Sequence, residues 1–371
     1  MNLENIQQQQ PGCEDSANNE PAAYIPTVDF SSWRSGNEPE KRMKVAKEIV
    51  SACQNVGFAY ITNHGIPAER LAEAFAWSKR FFDLTPEQKL QAPHPNGSSI
   101  HRGYSWPGLE KVSQEMGDKD MPELIIKKLR AIPDYKESYD MGSNEDSHQP
   151  NVWIPEDTLP GFRSFMMEFY WECFTVASDI LRAISIGIGL GDEHHLLKLH
   201  SGHNNQLRLL HYPPLPAAAL ENERYARMPA HTDWSSITIL FQDDCGGLEV
   251  ENIKRPGQFI RATPIENALV MNVGDLLQRW SNDNLRSTSH RVTMPPFTDT
   301  FDGPNRMVKE RYSIPYFIAP DPTSVIECLP SCISPSNPPK YLPISQSEYN
   351  LMRARMHYPN TATEAGSGQA Y

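Results

Sequence analysis

The stretch His231-Thr-Asp-Trp-Ser-Ser-Ile-Thr-Ile-Leu-Phe241 sets a histidine and an aspartate two residues apart at the head of a β-type run. Residues two apart on an extended chain point to one face, so the His231 imidazole and the Asp233 carboxylate can converge on a single ion. The tripeptide alone is weak: with 12 histidines in 371 residues, about one such match arises by chance. Its surroundings decide the reading.

Similar short runs follow one another at residues 207–212, 236–241, 248–250, 259–262, 268–273, 291–294 and 312–318. Gly246-Gly247, Pro256-Gly257 and Gly274-Asp275 break them, a spacing that predicts a sandwich or barrel rather than a parallel sheet. His290 opens one of these runs, Ser289-His-Arg-Val-Thr-Met294, and becomes a third ligand if that strand lies beside the first. Two histidines and one carboxylate on one face leave three positions open on a metal. That arrangement suits iron(II), which must take a chelating co-substrate and then O2, whereas structural zinc is closed by four ligands.

Arg311-Tyr-Ser313 begins the last run, and the same period of two sends guanidinium and hydroxyl to one face. An arginine fork binds a carboxylate bidentately and a serine adds a donor, so the pair fits the distal end of 2-oxoglutarate. The alternative for Arg311 is a rim salt bridge, for example with Glu310.

Upstream, Pro160-Gly161 opens a helix in which Phe162, Phe165, Phe169, Cys173, Val176, Ile180 and Ile184 keep three- and four-residue spacing. Residues 57–62 read as a strand closed by the turn Asn63-His-Gly-Ile-Pro67, with helices on either side carrying Val45, Ile49 and Cys53, and Leu71, Phe75 and Phe82. Residues 25–30 read as extended, and 94–155 as an irregular stretch supplying lid or substrate contacts. Ser345-Gln-Ser-Glu348 has the form of a capping box opening a helix to about residue 358.

A net charge of -12 and a pI near 5.5 argue against nucleic acid and anionic lipid as partners and leave a small molecule as the expected one. The six cysteines (13, 53, 173, 245, 328 and 332) form no C-x-x-C pair and are expected as free thiols. No leader or membrane-spanning segment is legible, so a cytoplasmic protein is expected, with no indication of its oligomeric state.

Taken together, His231, Asp233, His290, Arg311 and Ser313 resemble, in type and order, the signature of the iron(II)/2-oxoglutarate-dependent dioxygenases of the isopenicillin N synthase-like family. Ala52-Cys53, Gly57-Phe58, Asn63-His-Gly-Ile-Pro67, Phe81-Phe82-Asp-Leu84 and Gly103-Tyr104 are similar to the family's companion region, and the likeness runs from about Ile25 to Phe317. His64, in the matching turn, is expected to satisfy local backbone groups rather than to bind metal. Leu207-Arg-Leu-Leu-His-Tyr-Pro-Pro214 resembles the family segment whose second tyrosine contacts the co-substrate carboxylate, a place held here by Tyr212. Leu210 stands where the family often has asparagine, which puts one co-substrate contact in doubt.

The resemblance implies an α+β fold: a double-stranded β-helix, or jelly-roll, core with flanking helices and a mixed α/β N-terminal region. The expected organisation is a disordered tail over 1–23, an N-terminal dioxygenase region over 24–155, a core helix and connector over 156–200, the β-helix domain over 201–325 and a C-terminal helix and tail over 326–371. Fe(2+), 2-oxoglutarate and O2 are the implied cofactors, with ascorbate as a candidate reductant. The implied reaction oxidises a small organic molecule in specialised-metabolite biosynthesis, by hydroxylation, desaturation or rearrangement, and releases succinate and CO2.

Arg208 shares strand parity with Tyr212, Trp234 follows Asp233, and Phe317 lies four residues beyond Ser313, so all three are candidates for the substrate wall. Each has a plainer role open to it: an edge salt bridge for Arg208, core packing for the two aromatics. Other readings also stay open: a family member that uses the iron but not 2-oxoglutarate, a nucleobase-type hydroxylase, a zinc hydrolase, and a non-catalytic binding protein on the same fold.

Overall fold

The computed structural model describes residues 24–35, 38–95, 101–109, 134–222, 225–295, 301–302 and 306–357. The expected disordered tail, Cys13, part of the irregular stretch and the C-terminal tail lie outside the described residues. In chain order the strands are β1 Thr27–Asp29, β2 Phe58–Thr62, β3 Gly103–Ser105, β4 Glu137–Gly142, β5 Gln206–Tyr212, β6 Leu215–Pro216, β7 Met228–His231 and β8 Ile237–Gln242. They continue with β9 Leu248–Glu251, β10 Phe259–Arg261, β11 Leu269–Val273, β12 His290–Val292, β13 Phe301–Asp302, β14 Met307–Val308 and β15 Arg311–Ile318.

Eight strands form one sheet in the order β1-β2-β11-β8-β15-β5-β4-β3, and a second sheet runs β10-β9-β12-β7. Within the large sheet only β1 and β2 pair in parallel. Alternation explains how it is covered. Leu207, Leu209, Ile237, Ile239, Phe241, Leu269, Met271, Ile314, Tyr316 and Ile318 share the outer face and pack into the main core with the helix Phe162–Gly187. That helix buries every periodic position named above, and Phe169 meets Phe241 at 5.9 Å between ring centroids. A Cβ on Gly187 would fall 2.4 Å from the Ala46 carbonyl oxygen, so the glycine lets this helix and the helix Pro39–Asn55 cross closely.

On the inner face, Phe58, Tyr60, Leu210, Tyr212 and Val270 meet Leu248, Val250, Ala262 and Val292, from the second sheet and its flank, in a separate cluster. Each such buried side chain stabilises the closed pair of sheets by about 1.5–3 kcal/mol. This is the expected jelly-roll within an α+β chain.

Two strands lie in the stretch read as irregular. β4, Glu-Ser-Tyr-Asp-Met-Gly, has the polarity of a loop, yet all six of its residues are buried. Its carboxylates account for this. Glu137 accepts from Lys89 Nζ at 2.8 Å, Tyr104 Oη at 2.6 Å and His211 Nδ1 at 2.7 Å, and Asp140 pairs with Arg208. At the C-terminal helix Gln346–His357 the capping box forms, Glu348 N donating to Ser345 Oγ at 3.2 Å and Ser345 N to Glu348 Oε2 at 3.0 Å. Cys53, Cys173, Cys245, Cys328 and Cys332 are free and buried. Among the described residues no helix is long and apolar enough to cross a membrane.

Candidate metal centre and co-substrate site

β7 ends on His231 and β12 begins on His290, and the two residues are direct partners in the antiparallel pair, their rings 4.3 Å apart. Asp233 lies in the turn that leads to β8. This turn is packed tightly against Gly274, where a Cβ would lie 2.1 Å from the Ser235 carbonyl oxygen, and Asp275 N donates to Asp233 O at 2.8 Å. Asp233 Oδ1 therefore stands 3.9 Å from His231 Nε2 and 3.8 Å from His290 Nε2. Among the described residues these three form the one group with metal-ligand geometry, all donor atoms within 4.8 Å.

The atoms facing away from this point are already engaged. His231 Nδ1 lies 2.9 Å from the Pro229 carbonyl and His290 Nδ1 3.3 Å from that of Thr288. A carbonyl only accepts, so each Nδ1 carries the proton and each Nε2 keeps its lone pair. Asp233 Oδ2 accepts from Thr238 Oγ1 at 2.6 Å and Asn272 Nδ2 at 2.8 Å, leaving Oδ1 for an ion. Burial pushes the Asp233 carboxyl up, but the neighbouring His290 and His231 rings and these two hydrogen bonds outweigh it and hold the carboxyl below its ordinary value. The donor set fits a divalent metal with open positions.

Arg311 begins β15 opposite Tyr212 of β5, and its guanidinium carbon is 5.1 Å from the Tyr212 ring centroid. Only 1% exposed, it donates through Nη1 to Ser313 Oγ at 3.0 Å and through Nη2 to Gln242 Oε1 at 3.4 Å, while Nε has no partner. The rim salt bridge with Glu310 does not form; Glu310 turns instead to Lys79, His211 and Tyr312. The hydrogen-bond acceptors of Arg311 are neutral, the Asp243 carboxylate is the negative charge coupled to it, and a buried guanidinium of this kind can bind a carboxylate.

Parity places Arg208, Leu210, Tyr212, Ser313 and Phe317 on the inner face. Arg208 forms a two-point pair with Asp140, its strand neighbour, at 2.6 and 2.9 Å, and Gln206 Nε2 donates to the same carboxylate at 2.7 Å. Phe317 sits between Gln206 and Thr238 in register. Trp234 packs beside the main core, with Arg353 of the C-terminal helix 5.3 Å over its ring. His64 Nδ1 accepts from Ile66 N at 3.2 Å, the local role expected of it.

Thr238, Asn272, Gln242 and Asp140 also stand at these groups without having been singled out from the sequence. For Thr238 and Gln242 a signal existed, since they alternate along the strand after Asp233; the others depend on cross-strand placement that period alone does not carry.

The chain matches the model of the 2OG-Fe(II) oxygenase superfamily over residues 203–320, and that of the non-haem dioxygenase in morphine synthesis N-terminal region over 25–156. A 2-oxoglutarate-Fe(II) type oxidoreductase of Metarhizium majus is 37% identical, covering 91% of this chain and 96% of its own. A proline hydroxylase of Petromyces alliaceus is 38% identical over 90% of this chain and 99% of its own. A full-length Neurospora crassa protein, crystallised in complex with alpha-KG and thymine, superposes with a TM-score of 0.77 at 38% identity, covering 92% of this chain and 98% of that one. The chain belongs to the 2OG-Fe(II) oxygenase superfamily. It is a 2-oxoglutarate-dependent dioxygenase that oxidises a small organic molecule, with Fe(2+), 2-oxoglutarate and O2 as its cofactors.

Proposed function

We propose that His231, Asp233 and His290 hold the iron, that Arg311, Ser313 and Tyr212 hold the distal carboxylate of 2-oxoglutarate, and that the substrate is a compact, neutral molecule with an amide- or carbonyl-like edge. The observation that carries the metal assignment is the convergence of two Nε2 atoms on Asp233 Oδ1 while every opposing atom is already hydrogen-bonded. When bound, iron and 2-oxoglutarate would supply the activation of O2: decarboxylation of 2-oxoglutarate to succinate and CO2 gives two of the four electrons, and the substrate gives the other two as it is hydroxylated, desaturated or rearranged. The chain's own residues orient and enclose. Arg311 and Ser313 fix one end of the co-substrate so that its oxoacid end is aimed at the metal, and the inner apolar cluster limits water.

A neutral substrate follows from Arg208. Its charge is matched by Asp140, so this part of the inner face gives an anionic substrate no advantage over a neutral one. Phe317, of the same inner-face parity, supplies an apolar wall. The Neurospora crassa structures support this choice, since they hold thymine or 5-formyluracil. The fungal relatives support a place in specialised-metabolite biosynthesis, and the buried free thiols suit the cytoplasm.

The test begins with iron(II) and 2-oxoglutarate added without oxygen to metal-free protein. A weak visible charge-transfer band that is lost in Arg311→Ala is expected. Bound iron with no band would sink the co-substrate assignment in favour of an oxidase that does without 2-oxoglutarate. A screen by succinate release then compares neutral heterocycles and amides with their carboxylate analogues. Preference for the anions, or unchanged turnover in Arg208→Ala, would overturn the substrate assignment.

A further inference from the structure

Arg227, just before β7, is a second guanidinium in the wall that contains Arg311. It too is 1% exposed, and its Nε is buried without a partner. Its other contacts are neutral: Nη2 donates to the Lys309 carbonyl at 2.6 Å, and Nη1 lies 3.8 Å from Cys245 Sγ, a thiol that burial keeps protonated. Both guanidinium groups lie against the same ring, Arg227 at 5.7 Å and Arg311 at 5.1 Å from the Tyr212 centroid. Among the described residues neither makes a salt bridge. The acid beside them, Asp243, accepts instead from the backbone N–H groups of Tyr312 and Cys245.

The two guanidinium groups repel each other across one ring, and Arg227 has also lost its water; the Asp243 carboxylate is coupled to Arg311 but makes an ion-pair contact with neither. Structural need explains a neutral anchor for the Lys309 carbonyl, but it does not explain a charged one. An anion held at Arg311 would also lower the electrostatic cost of Arg227, since the two charges are coupled. We infer that Arg227 is the second cation of the co-substrate carboxylate site, a positioning residue whose charge acts beside that of Arg311 to select a dicarboxylate over a monocarboxylate 2-oxoacid. The inference rests on the assignment of Arg311 to that carboxylate, and it gives Tyr212 a further part as the plate against which both guanidinium groups are held.

The test is a binding comparison in the iron-loaded protein without oxygen, read from the charge-transfer band. The ligands are 2-oxoglutarate and 2-oxopentanoate, which replaces the distal carboxylate by a methyl group. Arg227→Met is expected to weaken 2-oxoglutarate about tenfold to hundredfold while changing 2-oxopentanoate less than about threefold, and Arg227→Lys to recover most of the loss. Equal loss for both ligands would overturn the inference, because a structural role does not distinguish them. Should the methionine variant not fold, Arg227→Gln, a neutral side chain that retains a hydrogen-bond donor, carries the same comparison. Arg311→Ala separates the two claims. If it abolishes the preference for 2-oxoglutarate and the Arg227 variants do not, only this inference fails; if it leaves the preference intact, the Arg311 assignment fails.

Discussion

His290 stands directly across an antiparallel pair from His231, the two rings 4.3 Å apart, and Asp233 reaches both Nε2 atoms from the turn that follows. The metal face is thus built from the backbone pairing of two strands and one turn, not from flexible loops. Its precision depends on the groups behind it.

Thr238→Val removes the 2.6 Å hydrogen bond to Asp233 Oδ2 while keeping the shape of the side chain. Iron affinity is expected to fall about 10- to 100-fold, with the apoprotein still folded. A competitive chelator titration checks this. His290→Ala, by contrast, should abolish stoichiometric iron binding altogether.

Arg311→Ala deletes the two-point donor proposed for the co-substrate. Charge-assisted hydrogen bonds of this kind contribute about 1.5–3 kcal/mol each, so the dissociation constant for 2-oxoglutarate should rise about 100-fold or more. Calorimetry on the iron-loaded protein without oxygen reads it directly. Unchanged affinity would remove Arg311 from the site.

Asp140→Asn keeps the shape of the Arg208 partner and removes its charge. Two effects should appear together. Stability drops by about 1.5–3 kcal/mol, because charge-assisted hydrogen bonds to the buried Asp140 carboxylate are weakened, and kcat/KM for carboxylate analogues rises relative to neutral substrates. Chemical denaturation and the succinate assay measure these separately.

His200 gives the pH dependence. Burial lowers its pKa to about 4 from the ordinary 6.5, and the ring is held between the Leu196 carbonyl at 2.7 Å and Ser236 Oγ at 2.9 Å. A histidine with a depressed folded-state pKa binds its proton more readily when unfolded. The folded state is therefore unpenalised above about pH 6.5 and loses stability as pH falls toward about 4, by up to about 3 kcal/mol. Urea unfolding at pH 7 and pH 4.5 should show a smaller drop for His200→Asn than for the unsubstituted chain.

The catalytic strands and the long helix were legible because their signals are local. Period two brought Arg311 and Ser313 to one face, and three- and four-residue spacing marked Phe162 to Ile184. What stayed hidden depends on partners far along the chain. β4 read as a loop until Lys89, His211 and Arg208 were seen to satisfy its carboxylates. Arg208 shows its parity but not Asp140, and the contact of Trp234 with Arg353 joins positions far apart in the chain. Arg227 gave no signal at all, since a single arginine before a strand is ordinary until burial on all sides is known.

The order of the large sheet has a bearing on how this chain can be cut. β11 is covered at its open side by β2 and then β1, and β5 by β4 and then β3, so the four outermost strands all come from the first 142 residues. A fragment starting near residue 200 would keep every metal and co-substrate residue, yet expose the bare backbone donors and acceptors of β5 and β11 at once. Exposed edges of that kind recruit other chains. The N-terminal half thus closes both flanks of the catalytic half, and expressing the latter alone should yield aggregates rather than a minimal enzyme.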